Sequence, residues 1–163
     1  MTNLQKLNDG VAEGDSALIV DPISNNIVSA SRDEHNQLVL DGNGQDGRNP
    51  LQTKVLLAIQ GVARKERLAA MAAGGVSTES FATGQYLCTG YDLYVHKEPD
   101  MYEAMALLHS RVRRIVFVEG DERAGGLGGG TDRSRAVHSL RNTNHHYRVF
   151  KRRKEVGKGK REE

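Results

Sequence analysis

The sequence predicts an α/β layered domain in which helices cover a sheet and at least one pair of strands runs parallel. Three observations carry that expectation. The apolar residues Leu51, Val55, Ile59 and Val62 recur at helical spacing, and so do Met101, Met105 and Leu108. The run Ile115-Val116-Phe117-Val118 is continuously apolar between charged neighbours, as in a strand covered on both faces. In chain order the elements read β-β-α-β-α-β, an alternation that needs crossover connections. With 163 residues the chain has the length of one domain with a sizeable core. At 37% hydrophobic and 27% charged residues it is too apolar for a disordered chain and too polar for a membrane protein.

The first element is a β-hairpin, with Ala17-Leu18-Ile19-Val20 closed by Asp21-Pro22 and Ile27-Val28 following a Ser24-Asn25-Asn26 turn. The stretch from Asp41 to Pro50 is dense in turn formers and reads as a loop. Pro50 suits the first position of a helix with Asn49 as its cap, and Gly74-Gly75 stops the pattern. Tyr86 to Val95 is rich in aromatic and β-branched residues, which predicts a strand interrupted at Thr89-Gly90. Glu98-Pro99 opens the second helix, which ends near Ser110. Its face is formed by Met101, Met105 and Leu108 and widened by Ala104 and Leu107. Ala124 to Gly130 reads as a flexible loop, and Tyr147 to Phe150 as a last strand or turn.

Charge is unevenly spread. Residues 1–50 carry three basic and eight acidic groups, residues 51–150 thirteen and ten, and residues 151–163 seven and three. The organisation expected from this is an N-terminal arm at 1–15, a folded domain at 16–150 and a solvated basic tail at 151–163. Lys151, Arg152, Arg153, Lys154, Lys158, Lys160 and Arg161 in that tail, with Arg111, Arg113 and Arg114 before the apolar strand, form the candidate RNA-binding set. Arg133, Arg135 and Arg141 could extend it, while a solvated edge and a solubilising tail are the plainer readings of the same charges. One cysteine, Cys88, excludes an intrachain disulfide and a paired-thiolate zinc site, and its apolar surroundings suit a buried inert thiol. No apolar run approaches the ~20 residues that span a bilayer, and the start of the chain lacks a signal-peptide pattern. An intracellular setting is expected, cytoplasmic, nuclear or organellar.

The segment Glu98-Pro99-Asp100-Met101-Tyr102-Glu103-Ala104-Met105-Ala106-Leu107-Leu108-His109-Ser110-Arg111, followed by the Ile115–Val118 strand, resembles a motif of the cytidine deaminase-like superfamily. Within it, the similarity is to the non-catalytic subunits of eukaryotic tRNA wobble-adenosine deaminases. Members carry Glu-Pro-Cys-x-x-Cys-Ala-Met-Ala-Leu-x-His-x-Arg at this place. Asn49-Pro50-Leu51-Gln52-Thr53-Lys54-Val55 aligns with a His-Pro-Leu-x-His-Ala-Val segment. Gly126-Leu127-Gly128 resembles the family's Gly-rich turn, and Ser139-Leu140 with Asn144 to Phe150 its C-terminal signature. The resemblance covers about residues 16 to 150 and implies a three-layer α/β/α sandwich with a mixed sheet.

Catalytic members bind Zn²⁺ through one His and two Cys, which activates a water, and use a Glu as proton shuttle. On the aligned positions the His is replaced by Thr53, the Glu by Val55, and the two Cys by Asp100 and Glu103. The resemblance therefore implies no catalytic residue of this chain's own, a lost zinc site and no cofactor. Asp100 and Glu103 lie three apart on a helix, a spacing that suits a hard cation, and equally a capping box at the helix N-terminus. Adjacent His145 and His146 point to opposite faces and read as surface histidines; Gly125 to Gly130 lacks the spacing of a phosphate-binding loop. The function implied is that of an inactive deaminase-fold subunit that supports tRNA wobble adenosine-to-inosine conversion by an active deaminase-fold partner in a heterodimer. The alternative is a deaminase fold kept as a structural or RNA-binding piece of a ribonucleoprotein such as an organellar ribosome.

Overall fold

The computed structural model describes residues 16–31, 51–72, 87–129 and 136–152. The expected arm at 1–15, the 41–50 loop with Asn49 and Pro50, Gly74-Gly75, Tyr86, Gly130, Arg133 and Arg135, and the tail from Arg153 onward lie outside the described residues. Strand β1 (Ala17–Asp21) pairs antiparallel with β2 (Asn26–Ala30) through a tight turn. Asp21 builds that turn: Oδ1 accepts the Ile23 N–H at 2.9 Å and Oδ2 the Ser24 hydroxyl at 2.9 Å, while Asn25 takes the left-handed conformation at φ 55°. A register shift between Ile19 and Val20 marks a bulge.

Helix α1 (Lys54–Ala72) follows, then β3 (Asp92–Lys97), α2 (Met101–His109), β4 (Arg114–Glu119), a 3₁₀ turn (Val137–Ser139) and β5 (Arg148–Lys151). The sheet order is β2-β1-β3-β4-β5, with β1 antiparallel to β3 and with β3, β4 and β5 mutually parallel. The expected mixed sheet is present. Its inner face carries Ala17, Ile19, Leu93, Val95, Ile115 and Phe117 in register, and both helices pack on it. Val55, Ala58, Ile59 and Val62 come from α1, and Ala104, Leu107 and Leu108 from α2. On the opposite face Leu18 and Val20 are buried with Ile27, Ala30, Tyr94 and Val118 around them. Among the described residues no helix covers that second face.

Four local expectations are corrected. The β4 strand is not covered on both faces among the described residues: Ile115 and Phe117 are buried, whereas Val116 and Val118 are half-buried, because both helices lie on one side. Helix α1 begins at Lys54 rather than Pro50, since Thr53 takes the cap: its Oγ1 faces the Leu56 N–H at 3.4 Å and its carbonyl accepts from Leu57 at 2.9 Å. Leu51, expected on the apolar stripe, therefore precedes the helix and is exposed. In α2 the buried stripe is Glu103, Ala104, Leu107 and Leu108, and Met101 points outward. The fourth concerns Ala124 to Gly129, whose described residues form a fixed loop, as set out below.

Helix α2 ends in a Schellman motif. The Val112 N–H reaches the Leu107 carbonyl at 3.2 Å and the Arg111 N–H the Leu108 carbonyl at 3.1 Å, with Arg111 left-handed at φ 58° where glycine is usual. Gly90, at φ 87°, supplies the break between Thr89 and β3 that the sequence predicts. Tyr147 then latches the approach to β5 onto α2, donating its buried hydroxyl to the Ala104 carbonyl at 3.1 Å.

Candidate functional site

Thr53, Val55, Asp100 and Glu103, the four positions that the resemblance singles out, lie at the starts of α1 and α2, and both helices pack on the inner face of the sheet. Thr53 caps α1, and Val55, one residue into the helix, is fully buried in the main core. Asp100 caps α2 through its side chain: Oδ1 accepts the Glu103 N–H at 2.8 Å. Glu103 answers, Oε2 accepting the Asp100 N–H at 3.1 Å, which completes a capping box.

Glu103 is only 8% exposed, and burial pushes its carboxyl above the usual range, against the bonds from Thr53 and Asp100 that favour the charged form. A group whose pKa is higher folded than unfolded makes the fold more stable as pH falls through that folded value. Glu103→Gln keeps an acceptor for the Asp100 N–H and removes the buried charge. It is expected to stabilise the fold at pH 8 by up to about 1 kcal/mol and to flatten the fall in stability between pH 5 and 8. Urea unfolding across that range checks this; a variant with an unchanged pH slope would contradict it.

These residues do not fit a zinc ion. They offer no imidazole or thiolate, Thr53 is a weak neutral donor, and both carboxylates already accept backbone N–H groups. Among the described residues no group of three or more His, Cys, Asp or Glu stands close enough to hold a metal. The capping box, one of the two readings of Asp100 and Glu103, is the arrangement found.

Beside this pair of helix starts lies a centre that the sequence reading passed over. Glu98, 3% exposed between β3 and α2, accepts three backbone N–H groups: Asp121 at 2.9 Å, Leu127 at 2.9 Å and Gly129 at 3.0 Å. The segment expected to be flexible is thus wrapped on a buried carboxylate. Its glycines are there for close approach: a Cβ at Gly126 would lie 2.7 Å from the Asp100 carbonyl oxygen, and one at Gly129 2.5 Å from Phe117. Further bonds fasten it, Gly126 N–H to the Pro99 carbonyl at 2.9 Å and Val137 N–H to the Gly126 carbonyl at 2.9 Å. The signal available in sequence was a Glu-Pro ahead of a helix combined with a run of glycines, but nothing local joins the two. Asp121, at the loop's start, is held down at about 2 by its hydrogen bond from Lys97 at 2.7 Å and by the Ala124 and Arg123 N–H groups.

The described members of the candidate basic set stand at different places in the fold. Arg113 and Arg114 both turn onto Asp92, which is buried at the start of β3. Arg113 donates through Nε and Nη2 at 2.9 Å each, and Arg114 through Nε at 2.8 Å and also through Nη2. Their side chains keep about a third of their surface open, 37% and 32%. Arg111 holds the C-cap of α2, and Lys151 donates to the Gly129 carbonyl at 3.2 Å at the far end of β5, next to exposed Arg152. Arg141 is exposed in the turn after the 3₁₀ segment. Arg153, Lys154, Lys158, Lys160 and Arg161 lie outside the described residues.

His145 and His146 diverge as expected, the first placing Nε2 2.7 Å from the Val112 carbonyl and the second exposed near the His138 carbonyl. Cys88 is fully buried, and burial followed by the nearby Glu66 pushes its thiol up to about 12, which leaves it unreactive.

No protein-family model matches the chain. Individual relatives do. The chain is 32% identical over 146 residues to the probable inactive tRNA-specific adenosine deaminase-like protein 3 of Danio rerio, covering 83% of this chain and 39% of that protein. It is 33% identical over 106 residues to the tRNA-specific adenosine deaminase subunit TAD3 of Saccharomyces cerevisiae, covering 65% and 30%. A chain solved in structural studies of A-to-I editing by tRNA:A34 deaminases matches with a TM-score of 0.51 at 19% identity, over 92% of this chain and 93% of that one. This chain thus spans at most about two fifths of the length of these two sequence relatives. The mixed sheet with both helices on its inner face is the deaminase-like α/β fold of that solved chain. Within that class, the chain is a homologue of the tRNA-specific adenosine deaminase-like protein 3 group, whose members include the TAD3 subunits.

Proposed function

We propose that this chain is a non-catalytic deaminase-fold subunit that supports adenosine-to-inosine conversion at the tRNA wobble position by pairing with a catalytic deaminase. The observation that carries the reading is the state of the four substituted positions. Val55 is an aliphatic residue in the core where a proton shuttle would stand, Asp100 and Glu103 are engaged with each other's backbone N–H groups, and Thr53 caps α1. A domain with no group to activate water and none to move a proton contributes through what it binds. The similarity to relatives named as inactive deaminase-like proteins and deaminase subunits supports the same reading. On this reading the chain needs no resident zinc. Its RNA contacts come from the basic residues that begin at the last residue of β5, Lys151, and continue with Arg152, because Arg113 and Arg114 are engaged by Asp92.

The test is purification of the tagged protein from its own cells at moderate salt, with mass spectrometry and an inosine assay on tRNA. Recovery of one deaminase-fold partner in equal amount, together with inosine formation, is the expected result. Recovery of many ribosomal or other ribonucleoprotein components without inosine formation would overturn it. That outcome would establish a scaffold role instead.

A further inference from the structure

We propose that the outward side of β5 is a contact for single-stranded RNA, in which Phe150 stacks on a base and Arg148 and Arg152 hold the phosphates on either side of it. The inference deepens the RNA contacts of the proposed function and rests on that reading for the class of ligand. Strand β5 stands at the edge of the sheet, last in the order β2-β1-β3-β4-β5. Successive side chains on a strand point to opposite faces, so one row of β5 turns to the core and the other away from it. Val149 packs against the main core beneath the helices, which puts Arg148 and Phe150 on the opposite face. Arg152 continues their row: its N–H bonds the Phe117 carbonyl at 2.7 Å, in step with the Arg148 N–H on the Arg113 carbonyl at 3.2 Å.

The register extends this row into a small platform. Phe150 pairs with Val116 and Val116 with Tyr94, so two aromatic residues share the face with one aliphatic residue between them. Arg148 pairs with Arg114 in the same register. All three outward residues of the edge are exposed, Phe150 at 46%. Charged side chains guard many edge strands against pairing with other chains, which would account for the two arginines. It does not account for a large aromatic ring left in water between them, on a segment from Arg148 to Arg152 that has no acidic residue. An exposed ring flanked by cations matches single-stranded nucleic acid: the ring offers its face to any base, and each guanidinium offers paired donors to phosphate. Residues two apart on a strand are about 6.6 Å apart, so both guanidiniums reach past the ring to the backbone of a stacked nucleotide. A duplex keeps its bases stacked inside and gives the ring no partner.

The test is fluorescence anisotropy on the full chain, in the form recovered by the tagged purification. The probes are a labelled single-stranded RNA of about twelve nucleotides and a duplex of the same length. Phe150→Leu keeps an apolar side chain but removes the aromatic face. It is expected to weaken single-strand binding about tenfold and to leave duplex binding within about twofold. Phe150→Trp, which keeps a stacking face, should bind the single strand at least as tightly as the unmutated chain. Arg148→Gln should lower the slope of log affinity against log salt by about 0.7 on the single strand. A Phe150→Leu chain with unchanged single-strand affinity would overturn the proposal, as would an equal loss on the duplex or a loss in Phe150→Trp as well. So would a Phe150→Leu chain that keeps its RNA affinity but no longer recovers its protein partner, which would make this edge a protein contact. None of these readouts needs inosine formation, so a failure here leaves the test of the proposed function to be judged separately.

Discussion

Glu98→Gln is expected to destabilise the fold by about 2–3 kcal/mol and Glu98→Ala by about 3–5 kcal/mol, the largest losses of any single polar substitution in the chain. The carboxylate is buried and accepts three backbone N–H groups. Gln retains one oxygen, which can still serve Leu127 and Gly129 as Oε1 does now. Its amide nitrogen then faces the Asp121 N–H, donor against donor, and one buried backbone group is left unmatched. Alanine orphans all three and leaves a void where the carboxylate sat. The glycines cannot adjust to compensate, because Gly125, Gly126 and Gly129 already stand within about 2.5–2.7 Å, measured from where a Cβ would be, of neighbouring backbone or side-chain atoms. Urea unfolding gives the magnitude. Hydrogen exchange gives the location, with protection lost first at the Asp121, Leu127 and Gly129 amides. A Glu98→Gln variant within about 0.5 kcal/mol of the unmutated chain would show that the loop is held by other contacts.

Asp92 should come next. It begins β3, pairs in register with Arg114, and is fully buried while accepting from two guanidiniums. Asp92→Ala is expected to cost about 2–4 kcal/mol, since it leaves two arginines crowded at a strand start with no anion between them. The reciprocal substitutions behave differently. Arg113→Ala or Arg114→Ala alone should cost much less, because the remaining guanidinium keeps the carboxylate paired and solvent reaches the vacated side. Removing both strands a buried carboxylate, so the double variant should lose clearly more than the sum of the singles. Thermal unfolding of the four chains decides it, and additivity would mean that Asp92 does not hold the arginines as one unit. The same cycle bears on RNA binding: an arginine committed to Asp92 is poorly placed to carry affinity, so both single variants should keep most of any tRNA affinity that the tail confers.

What was legible in the sequence was set by neighbours in the chain. The hairpin follows from an Asp and a Ser beside a Pro, the cap of α2 from an acid three residues ahead of another acid, and the break at Gly90 from a residue without a side chain. The parallel β3–β4 pair follows from the alternation of strand and helix; the β4–β5 pair goes beyond what that alternation required. Local hydrogen bonds and side-chain periodicity need only a few adjacent residues, and these are written in order.

Tertiary structure decided what those residues do. Glu98 reads as a helix opener until Leu127 and Gly129, 29 and 31 residues further on, fold back onto it and turn a run of glycines from an expected mobile loop into a fixed one. Arg113 and Arg114 read as free cations until Asp92, 21 and 22 residues earlier, engages both guanidiniums. In each case a charged or polar group has left water, and burial is tolerable only where partners from distant parts of the chain arrive to satisfy it. Local pattern specified the elements; the requirement that every buried polar group find a partner determined which residues became structure and which remain exposed for binding.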